Sequence, residues 1–510
     1  MRFSSVGASE DDGSARRVSF ARKFTASTIG NILEWYDFAV FGGLADVLGD
    51  VFFPASTRTA SLLEALAVFG AAFVMRPVGG LMFGWIGDTL GRKIALEMSI
   101  AMMLVPSVAI GLLPGYSSIG GFATAALVVL RLCQGVAVGG ELVTAYVFVA
   151  EHAPSRRGAA AWTGLVLDGS NCGTLLGIGM VAVTRAVLSR RDLYRLGWRL
   201  CFCLGLPLGA TGIALRRGIG NHEPELIKET GRNPLLEVWR TRRAEVASVA
   251  GVSALWCGGF YTSFIWMGLF YAERVSGSDP VRGAYAVNAA MLAVLCMLFV
   301  PMALTTRTDD PRAGARRALV RGQLGMLLVS MPAFAIVSAS RSTPAAIFAQ
   351  LLIAPCLASF GAGMPYFLVC SFPPEIRVAA IGIAYNVSQA LFGGTAPLVQ
   401  TALAEVHPVL PGVALSFFAL LSYLSLRALE RIRNKSVNPS KKIAKLPSIE
   451  LSTTTTTTTT ATKQPPRDDD DNNNSGKAPD TLPPVDVGDL GGLELQGGGD
   501  AKEEESAGLC

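Results

Sequence analysis

Two acidic residues lie inside the first long apolar stretch of the sequence, where charged side chains are rare. Glu34 and Asp37 are three residues apart, so on a helix they share one face. An ionised acid at the centre of a bilayer costs about 2.5–3.5 kcal/mol, and burial in apolar surroundings favours the neutral acid. We therefore predict that one of the two binds and releases a proton. The alternative is a structural ion pair with a buried arginine.

The fourth apolar stretch contains a second polar group. Arg131 is a permanently charged partner for Glu34, Asp37 or an anionic solute. Gln134 and Glu141 are seven residues apart and share a helix face. We predict that Arg131 and Gln134 contact a solute, and that Glu141 takes part in proton coupling together with Glu34 and Asp37. A purely structural arginine–carboxylate pair is again the alternative.

A third charged group lies in the second apolar stretch. Arg76, directly before Pro77, is predicted to bind a solute by attracting its carboxylate. Glu64 and Asp88 are alternative partners for this cation, but each lies about three turns away, too far for a direct bond within one helix. Asp168 in the fifth stretch is a further intramembrane acid.

The second apolar stretch ends in a glycine-rich charged loop. Asp88 is predicted to accept backbone N–H groups at the start of the next helix, or to bond an arginine of a neighbour. Gly91 permits a tight turn. Bonds of this kind hold one conformation and break in another, so we predict a gate formed by Gly84, Asp88, Gly91, Arg92 and Lys93.

In the second half of the chain, polar and helix-breaking residues lie inside apolar stretches. The segment 361–366 combines two glycines with Pro365, and we predict that it breaks or bends the tenth helix beside a cavity. Tyr385, Asn386 and Gln389 add polar groups to the eleventh. Besides Arg76, Arg131 and Gln134, the residues predicted to contact the solute are Tyr36, Tyr366 and Asn386.

These residues must be positioned by membrane-spanning helices. Of the 510 residues, 51% are hydrophobic and 16% charged, against roughly 25% charged in soluble domains. A helix of about 20 apolar residues crosses a bilayer. We predict an all-α polytopic membrane protein with twelve transmembrane helices in two six-helix bundles, near residues 24–48, 59–86, 94–113, 122–150, 159–184, 196–215, 247–272, 283–305, 319–339, 344–369, 379–402 and 409–430.

The loops between these stretches predict an orientation and a domain organisation. Lysine and arginine concentrate in alternate loops, with the loop 185–195 as the exception, so the positive-inside rule places both termini in the cytoplasm. Thr453–Thr460 and the acidic run after it are typical of a disordered tail. The predicted organisation is a cytoplasmic N-terminal tail (1–23), a first bundle (24–215), a cytoplasmic linker (216–246), a second bundle (247–430) and a disordered cytoplasmic tail (431–510).

Several classes of function are disfavoured by what the sequence lacks. It has no GxxxxGK[ST] loop for ATP and no HExxH or GxSxG motif of a hydrolase. Its cysteines form no metal motif and are predicted to be packing residues. Its basic residues lie in short loops, so no nucleic-acid partner is implied. We expect no enzyme activity and no cofactor; the expected partners are the lipid bilayer, a small solute and a proton.

The motifs resemble those of the major facilitator superfamily, and more narrowly its metabolite:proton symporter family. The resemblance covers about residues 22–430. It implies alternating access between two bundles around a central site, with the helices that carry Glu34, Asp37, Arg131 and Glu141 lining the cavity. The motifs that carry it are Gly30-Asn31-x-x-Glu34-Trp35-Tyr36-Asp37-Phe38, Phe52-Phe53-Pro54, Arg76-Pro77-x-Gly79-Gly80, the Gly84–Lys93 loop, Arg131-x-x-Gln134-Gly135-x-x-x-Gly139-Gly140-Glu141 and Phe392-Gly393-Gly394-x-x-Pro397.

The resemblance implies proton-coupled symport of an organic acid or a zwitterionic osmolyte. We predict a monomer in the plasma membrane, with an organelle membrane as the alternative. Two alternatives stay open from the sequence. One is an uncoupled facilitative permease of the same fold for sugars or drugs, and the other is a membrane sensor that transports nothing and signals through its tail.

Overall fold

The computed structural model describes residues 10–54, 58–217, 233–274 and 280–437, and these residues contain helices and no strand. In the first half a π-helical turn at Leu193–Gly197 follows α8. The helices of this half are α1 (Glu10–Gly43), α2 (Ala45–Phe52), α3 (Arg58–Thr89), α4 (Arg92–Leu112), α5 (Tyr116–Ile119), α6 (Gly121–Glu151), α7 (Arg156–Val187), α8 (Arg190–Asp192), α9 (Trp198–Cys203) and α10 (Gly205–Arg217).

The second half begins with a short helix capped by Asn233, whose side chain accepts the N–H of Leu235. Two π-helical turns, Tyr261–Trp266 and Gln389–Gly393, interrupt its helices, and a 3₁₀ turn covers Pro374–Ile376. Its helices are α11 (Pro234–Thr241), α12 (Arg243–Phe260), α13 (Met267–Arg274), α14 (Pro280–Leu304), α15 (Pro311–Ser340), α16 (Thr343–Val369), α17 (Arg377–Ser388), α18 (Ala396–Val406) and α19 (Leu410–Val437).

Within the described residues, ten segments are long and apolar enough to cross a membrane. They coincide with ten of the twelve predicted spans. The other two predicted spans correspond to α1, which carries Glu34 and Asp37, and to α17 and α18, which are 12 and 11 residues long and separated by a π-helical turn. The chain is thus an all-α polytopic membrane protein.

The described residues up to Asn434 pack as one compact unit, in which α3 contacts α17, and α7 contacts α14 and α16. The predicted domain boundaries stay predictions. Helix α1 begins at Glu10, so residues 10–23 of the predicted N-terminal tail are helical and continuous with the first predicted span. Residues 1–9 and 218–232, and the predicted tail beyond 437, lie outside the described residues.

Helices α3 and α6 approach closely because both present glycine at their contact. A Cβ atom on Gly135 would strike the backbone carbonyl of Ala72, and one on Gly139 would strike that of Arg76. Small residues of this kind let helix backbones approach in a bilayer. Gly135 and Gly139 therefore form a small-residue groove, which holds the two helices that carry Arg76 and Arg131 against each other.

The backbone irregularities of the second half are π-helical turns. The turn at Tyr261–Trp266 frees carbonyl groups, which must find partners at membrane depth. Gln350 Nε2 donates to the carbonyl of Ser263 at 2.6 Å, and Asn288 Nδ2 donates to that of Phe264 at 2.7 Å. The segment 361–366 does not break the tenth helix, because α16 continues through Pro365 to Val369; the predicted alternative, a bend there, stays a prediction.

Candidate functional site

A buried polar contact joins the two halves near the middle of α3. Arg76 Nε donates to Asn386 Oδ1 at 3.2 Å, and Asn386 Nδ2 donates to the carbonyl of Gly139 at 2.6 Å. Glu34 Oε1 lies 3.9 Å from Arg76 Nη1, within ion-pair range but beyond a hydrogen bond. All three side chains are almost fully buried. The structure thus brings together Glu34 and Arg76 of the first half with Asn386 of the second.

The same region holds buried polar atoms without hydrogen-bond partners among the described residues. Both carboxylate oxygens of Glu34 and the Nη2 of Arg76 are in this state. Tyr146 and Tyr385, from opposite halves, lie close enough to interact electrostatically with Glu34 and Arg76. Other buried polar atoms without a hydrogen-bond partner among the described residues are Trp35 Nε1, the hydroxyl oxygens of Tyr146, Tyr385 and Ser388, and Gln389 Oε1. Buried polar groups are normally paired, so these unpaired atoms together suggest a binding site.

We call Glu34, Arg76, Tyr146, Tyr385 and Asn386 the central polar cluster. Aromatic side chains from both halves pack beside it. The rings of Trp35 and Phe260 lie 5.9 Å apart, centre to centre, and those of Phe73 and Tyr261 lie 5.5 Å apart. Each pair joins the first half to the second. The Tyr261 hydroxyl also accepts a hydrogen bond from Gln389 Nε2 at 3.3 Å. Aromatic faces beside a polar site suit a cationic group.

Sequence reasoning missed several members of this region. Tyr146, Tyr385 and Ser388 were not predicted to contact a solute, although Tyr385 was noted as a polar group of the eleventh stretch. A tyrosine in an apolar stretch carries no signal of its own, because its ring packs in cores and its hydroxyl finds partners in many settings. Only the convergence of α1, α3, α6 and α17 identifies these hydroxyl groups.

Asp37, Arg131 and Gln134 form a separate network inside the first half. Arg131 Nη1 donates to Asp37 Oδ2 at 2.9 Å and to Gln134 Oε1 at 2.7 Å, and Gln134 Nε2 donates to Asp37 Oδ2 at 3.0 Å. The guanidinium carbon lies 4.6 Å and 4.2 Å from the ring centres of Phe38 and Phe41. Arg131 thus pairs with Asp37, one of the partners predicted for it, within one bundle.

Glu141 lies in a third network, at the end of α10. Its carboxylate accepts hydrogen bonds from Arg216 and from Ser99. Arg216 Nε also donates to the carbonyl of Ala26 at 2.8 Å. Arg216 lies at the basic end of its apolar stretch, and nothing in its local sequence indicates a partner 75 residues away.

Tyr36, predicted to contact the solute, is engaged elsewhere. Its hydroxyl donates to the carbonyl of Cys201 at 2.7 Å, which ties α1 to α9 within the first half. Tyr366, also predicted to contact the solute, is buried in α16 of the second half, and its role stays a prediction.

The predicted gate residue Asp88 bonds across the two halves. Its carboxylate accepts the N–H groups of Val378 at 3.1 Å and Ala379 at 2.8 Å, at the start of α17. It therefore acts as an N-cap for a helix of the opposite half, where the positive end of the helix dipole also favours an anion. Asp88 therefore caps a helix, as predicted, but the capped helix is α17 and not the next helix, α4.

Arg92 belongs to a charged network beside this cap. Its Nη2 donates to the carbonyl of Pro374 at 2.7 Å, across the halves, and its Nε lies 3.4 Å from Glu151 Oε2. Arg377 of the second half donates to Glu151 Oε1 at 3.0 Å. Glu151 thus links two arginines from opposite halves. Sequence analysis had not singled out Glu151 or Arg377.

The remaining predicted gate residues shape this contact. A Cβ atom on Gly84 would lie 2.7 Å from Ala379 Cα, so only glycine lets α3 approach α17 here. Gly91 has a φ of 112°, which glycine adopts readily. Lys93 Nζ lies 3.9 Å from Glu97 Oε1 on its own helix. The cross-half lock is therefore formed by Asp88, Arg92, Glu151 and Arg377, and this set is called the gate lock below.

Comparison with known proteins agrees with this architecture. The family model for "Sugar (and other) transporter" matches residues 23–217. The chain is 31% identical over 442 residues to the proline/betaine transporter of Salmonella typhimurium, covering 83% of this chain and 85% of that protein. It is 33% identical over 407 residues to the alpha-ketoglutarate permease of Escherichia coli, covering 78% of this chain and 90% of that protein.

Among solved structures, a proton:xylose symporter of the major facilitator superfamily superposes with a TM-score of 0.65 at 17% identity, covering 81% of this chain and 95% of that one. That likeness shows the fold. The matched relatives are transporters and not enzymes. Together with the sequence identity over most of both chains, these findings show that the chain is a transporter that belongs to the major facilitator superfamily.

Proposed function

We propose that this transporter is a proton-coupled symporter of a small polar metabolite that carries a carboxylate, an organic acid or a zwitterionic osmolyte. One observation carries the proposal. Glu34 is buried between the two halves with both carboxylate oxygens unpaired among the described residues, 3.9 Å from the guanidinium of Arg76. A carboxylate in that position is costly when ionised and changes its interaction with Arg76 when protonated.

Competition for Arg76 couples the solute to the proton. When Glu34 is ionised, its charge offsets that of Arg76 and repels a solute carboxylate. A proton on Glu34 removes that repulsion, so the solute carboxylate pairs with Arg76 in place of the Glu34 carboxylate. Loss of the proton restores the charge of Glu34 and expels the solute. Proton and solute therefore favour each other's binding, and this coupling is reciprocal.

The chemistry around Arg76 favours a zwitterion or a compact acid. Arg76 supplies a cation with an unpaired Nη2, and the hydroxyl groups of Tyr146 and Tyr385 supply hydrogen bonds. The rings of Trp35 and Tyr261, 6.2 Å apart, supply faces for a quaternary or secondary ammonium cation. The named relatives are transporters of proline and betaine and a permease for alpha-ketoglutarate, which are two zwitterions and an acid.

Transport by alternating access requires that the gate lock break in one conformation. The structure has the lock formed, with Asp88 bound to the start of α17 and Glu151 bound to Arg377. We propose that opening this face separates α3 from α17 and exposes the central polar cluster. Each broken contact is then compensated by water, which enters between the halves.

The test is uptake by the purified full-length protein in proteoliposomes with an imposed pH gradient. Radiolabelled proline, glycine betaine and 2-oxoglutarate are the probes. We expect accumulation of at least one above its equilibrium level, and collapse of that accumulation by a protonophore. In Glu34→Gln, exchange of solute across the membrane should persist while pH-driven accumulation is lost.

Glu64→Gln is the matched control, because Glu64 is an exposed acid on α3. It should accumulate solute as the wild type does. Accumulation by Glu34→Gln equal to that of the wild type would disprove the role of Glu34. Equilibrative uptake that the protonophore does not change would favour the uncoupled permease. A protein that transports none of the probes, but loses a cellular response when cut after residue 440, would favour the sensor.

We further propose that both termini and the gate lock face the cytoplasm and that the protein works as a monomer in the plasma membrane. The positive charge of the loop 185–195 argues against this orientation. Part of that charge, however, already has partners within the protein, because Arg185 pairs with Asp46 at 2.5 Å and Arg190 lies 5.6 Å from the ring centre of Tyr194. A membrane-impermeant maleimide added outside cells should label Ser189→Cys and leave Thr89→Cys unlabelled. The reverse pattern would invert the orientation.

A further inference from the structure

Two thiols and a carboxylate meet between the halves, away from the central polar cluster and the gate lock. Asp168 and Cys172 lie one turn apart on α7, and Cys296 lies on α14 of the second half. One carboxylate oxygen and the two sulfur atoms all lie within 4.8 Å of one another. None of these three groups takes part in the proposed coupling of solute and proton.

The spacing of these atoms suits a small, thiophilic cation. With Zn–S bonds of about 2.3 Å, two sulfur atoms on a tetrahedral ion stand about 3.8 Å apart. The observed separations need little adjustment to reach that arrangement. The i, i+4 spacing of Asp168 and Cys172 directs both side chains from one helix face toward the same point.

The surroundings of the three residues also fit a ligand role. Asp168 is 7% exposed. Asn171 Nδ2 lies 3.4 Å from Asp168 Oδ1 and orients the carboxylate as an outer-shell partner does. Both thiols are partly exposed.

We propose that Asp168, Cys172 and Cys296 form a binding site for a thiophilic divalent cation, Zn²⁺ or Cd²⁺. Thiolate ligands select such ions over Mg²⁺ and Ca²⁺, which prefer oxygen. Three protein ligands leave a coordination position for water. Because α7 and α14 belong to different halves, the ion ties the halves together and favours the conformation in which these helices touch.

The experiment uses the purified full-length protein with Cd²⁺ as the probe, in a buffer with a non-chelating phosphine reductant that keeps the thiols reduced. Ultraviolet thiolate-to-Cd²⁺ charge transfer reports binding. We expect one tight Cd²⁺ per chain, unaffected by excess Mg²⁺, and a higher midpoint of thermal unfolding when it is bound. Cys172→Ser and Cys296→Ser should each weaken binding at least about tenfold, since even an outer-shell partner contributes that much.

Asp168→Asn tests the carboxylate without removing a thiol, and the same loss of affinity is expected. Cys356→Ser is the matched control, because Cys356 is also partly exposed, but its sulfur donates to the carbonyl of Leu352 in its own helix, at 3.5 Å, and belongs to no cluster of potential metal ligands among the described residues. Its Cd²⁺ affinity should equal that of the wild type. Equal charge-transfer intensity and affinity in Cys172→Ser, Cys296→Ser and the wild type would overturn the proposal.

Discussion

Asp88 Oδ2 accepts the backbone N–H of Ala379 at 2.8 Å, although the two residues are 291 positions apart in the chain. This bond caps a helix of one half with a side chain of the other. A cap within a single helix stabilises that helix alone. A cap between halves stabilises one arrangement of the halves, so its loss changes a conformational equilibrium.

Asp88→Asn should shift the transporter away from the locked conformation. An asparagine has one acceptor oxygen, and its NH₂ group cannot accept the second N–H. Capping contributes about 0.5–2 kcal/mol, so the amides of Val378 and Ala379 should exchange hydrogen several-fold faster. Hydrogen exchange followed by mass spectrometry measures this rate. Glu97→Gln, on the neighbouring helix and paired with Lys93, is the control, and equal exchange in both variants would contradict the role of Asp88.

Gly84→Ala should open the same face by steric repulsion. The added Cβ would lie 2.7 Å from Ala379 Cα, and overpacking of this kind costs about 1–3 kcal/mol. Spin labels on cysteines at the exposed positions Arg157 and Asp309, which pair across the halves, report the opening as a longer electron–electron distance in a background without other reactive cysteines.

Gly70→Ala is the matched control for this prediction. Gly70 lies on the same helix, α3, but no atom would lie within 4 Å of its added Cβ. The distance distribution of Gly70→Ala should equal that of the wild type. If Gly84→Ala also leaves the distribution unchanged, the close approach of α3 and α17 does not control the gate.

Tyr385→Phe should weaken solute binding without loss of stability. The Tyr385 hydroxyl is buried and has no hydrogen-bond partner among the described residues, so its removal leaves no protein group unpaired. We expect KM for the transported probe to rise about tenfold, as for one lost hydrogen bond of about 1.4 kcal/mol, while the Tm stays level or rises. Uptake kinetics and thermal unfolding of the same preparation measure both.

Tyr36→Phe gives the opposite pattern and serves as the comparison. Its hydroxyl donates to the Cys201 carbonyl at 2.7 Å, and the change removes this hydrogen bond between α1 and α9. We expect a loss of about 0.5–1.5 kcal/mol in stability and an unchanged KM. A KM that rises in Tyr36→Phe and not in Tyr385→Phe would move the solute away from the central polar cluster.

Arg131→Gln should destabilise the first half strongly. It leaves Asp37 buried with its charge unpaired, and breaking one partner of a buried pair costs about 3–5 kcal/mol. Asp37→Asn combined with Arg131→Gln should recover more than half of that loss, because no charge is then left alone. Thermal unfolding in detergent measures both variants. Arg185→Gln, which breaks a partly exposed pair with Asp46, should cost less than about 1 kcal/mol.

Local sequence was sufficient for the features whose cause is local. Apolar length located the spans, because each helix must satisfy its own backbone in the bilayer. The cost of charge in hydrocarbon identified Glu34, Asp37, Arg76 and Arg131 as residues with buried partners. The place of Asp88 in the loop after the second apolar stretch also suggested that it caps a helix.

The sequence by itself thus determined an all-α membrane transporter and the polar residues its interior must accommodate. Only the tertiary structure decided which of them meet: Arg76 with Glu34 and Asn386, Arg131 with Asp37, Arg216 with Glu141, and Asp88 with α17. The physical reason is that several partners satisfy an isolated charge equally well in energy. The packing of helices distant in sequence selects one partner, and no local pattern records that choice.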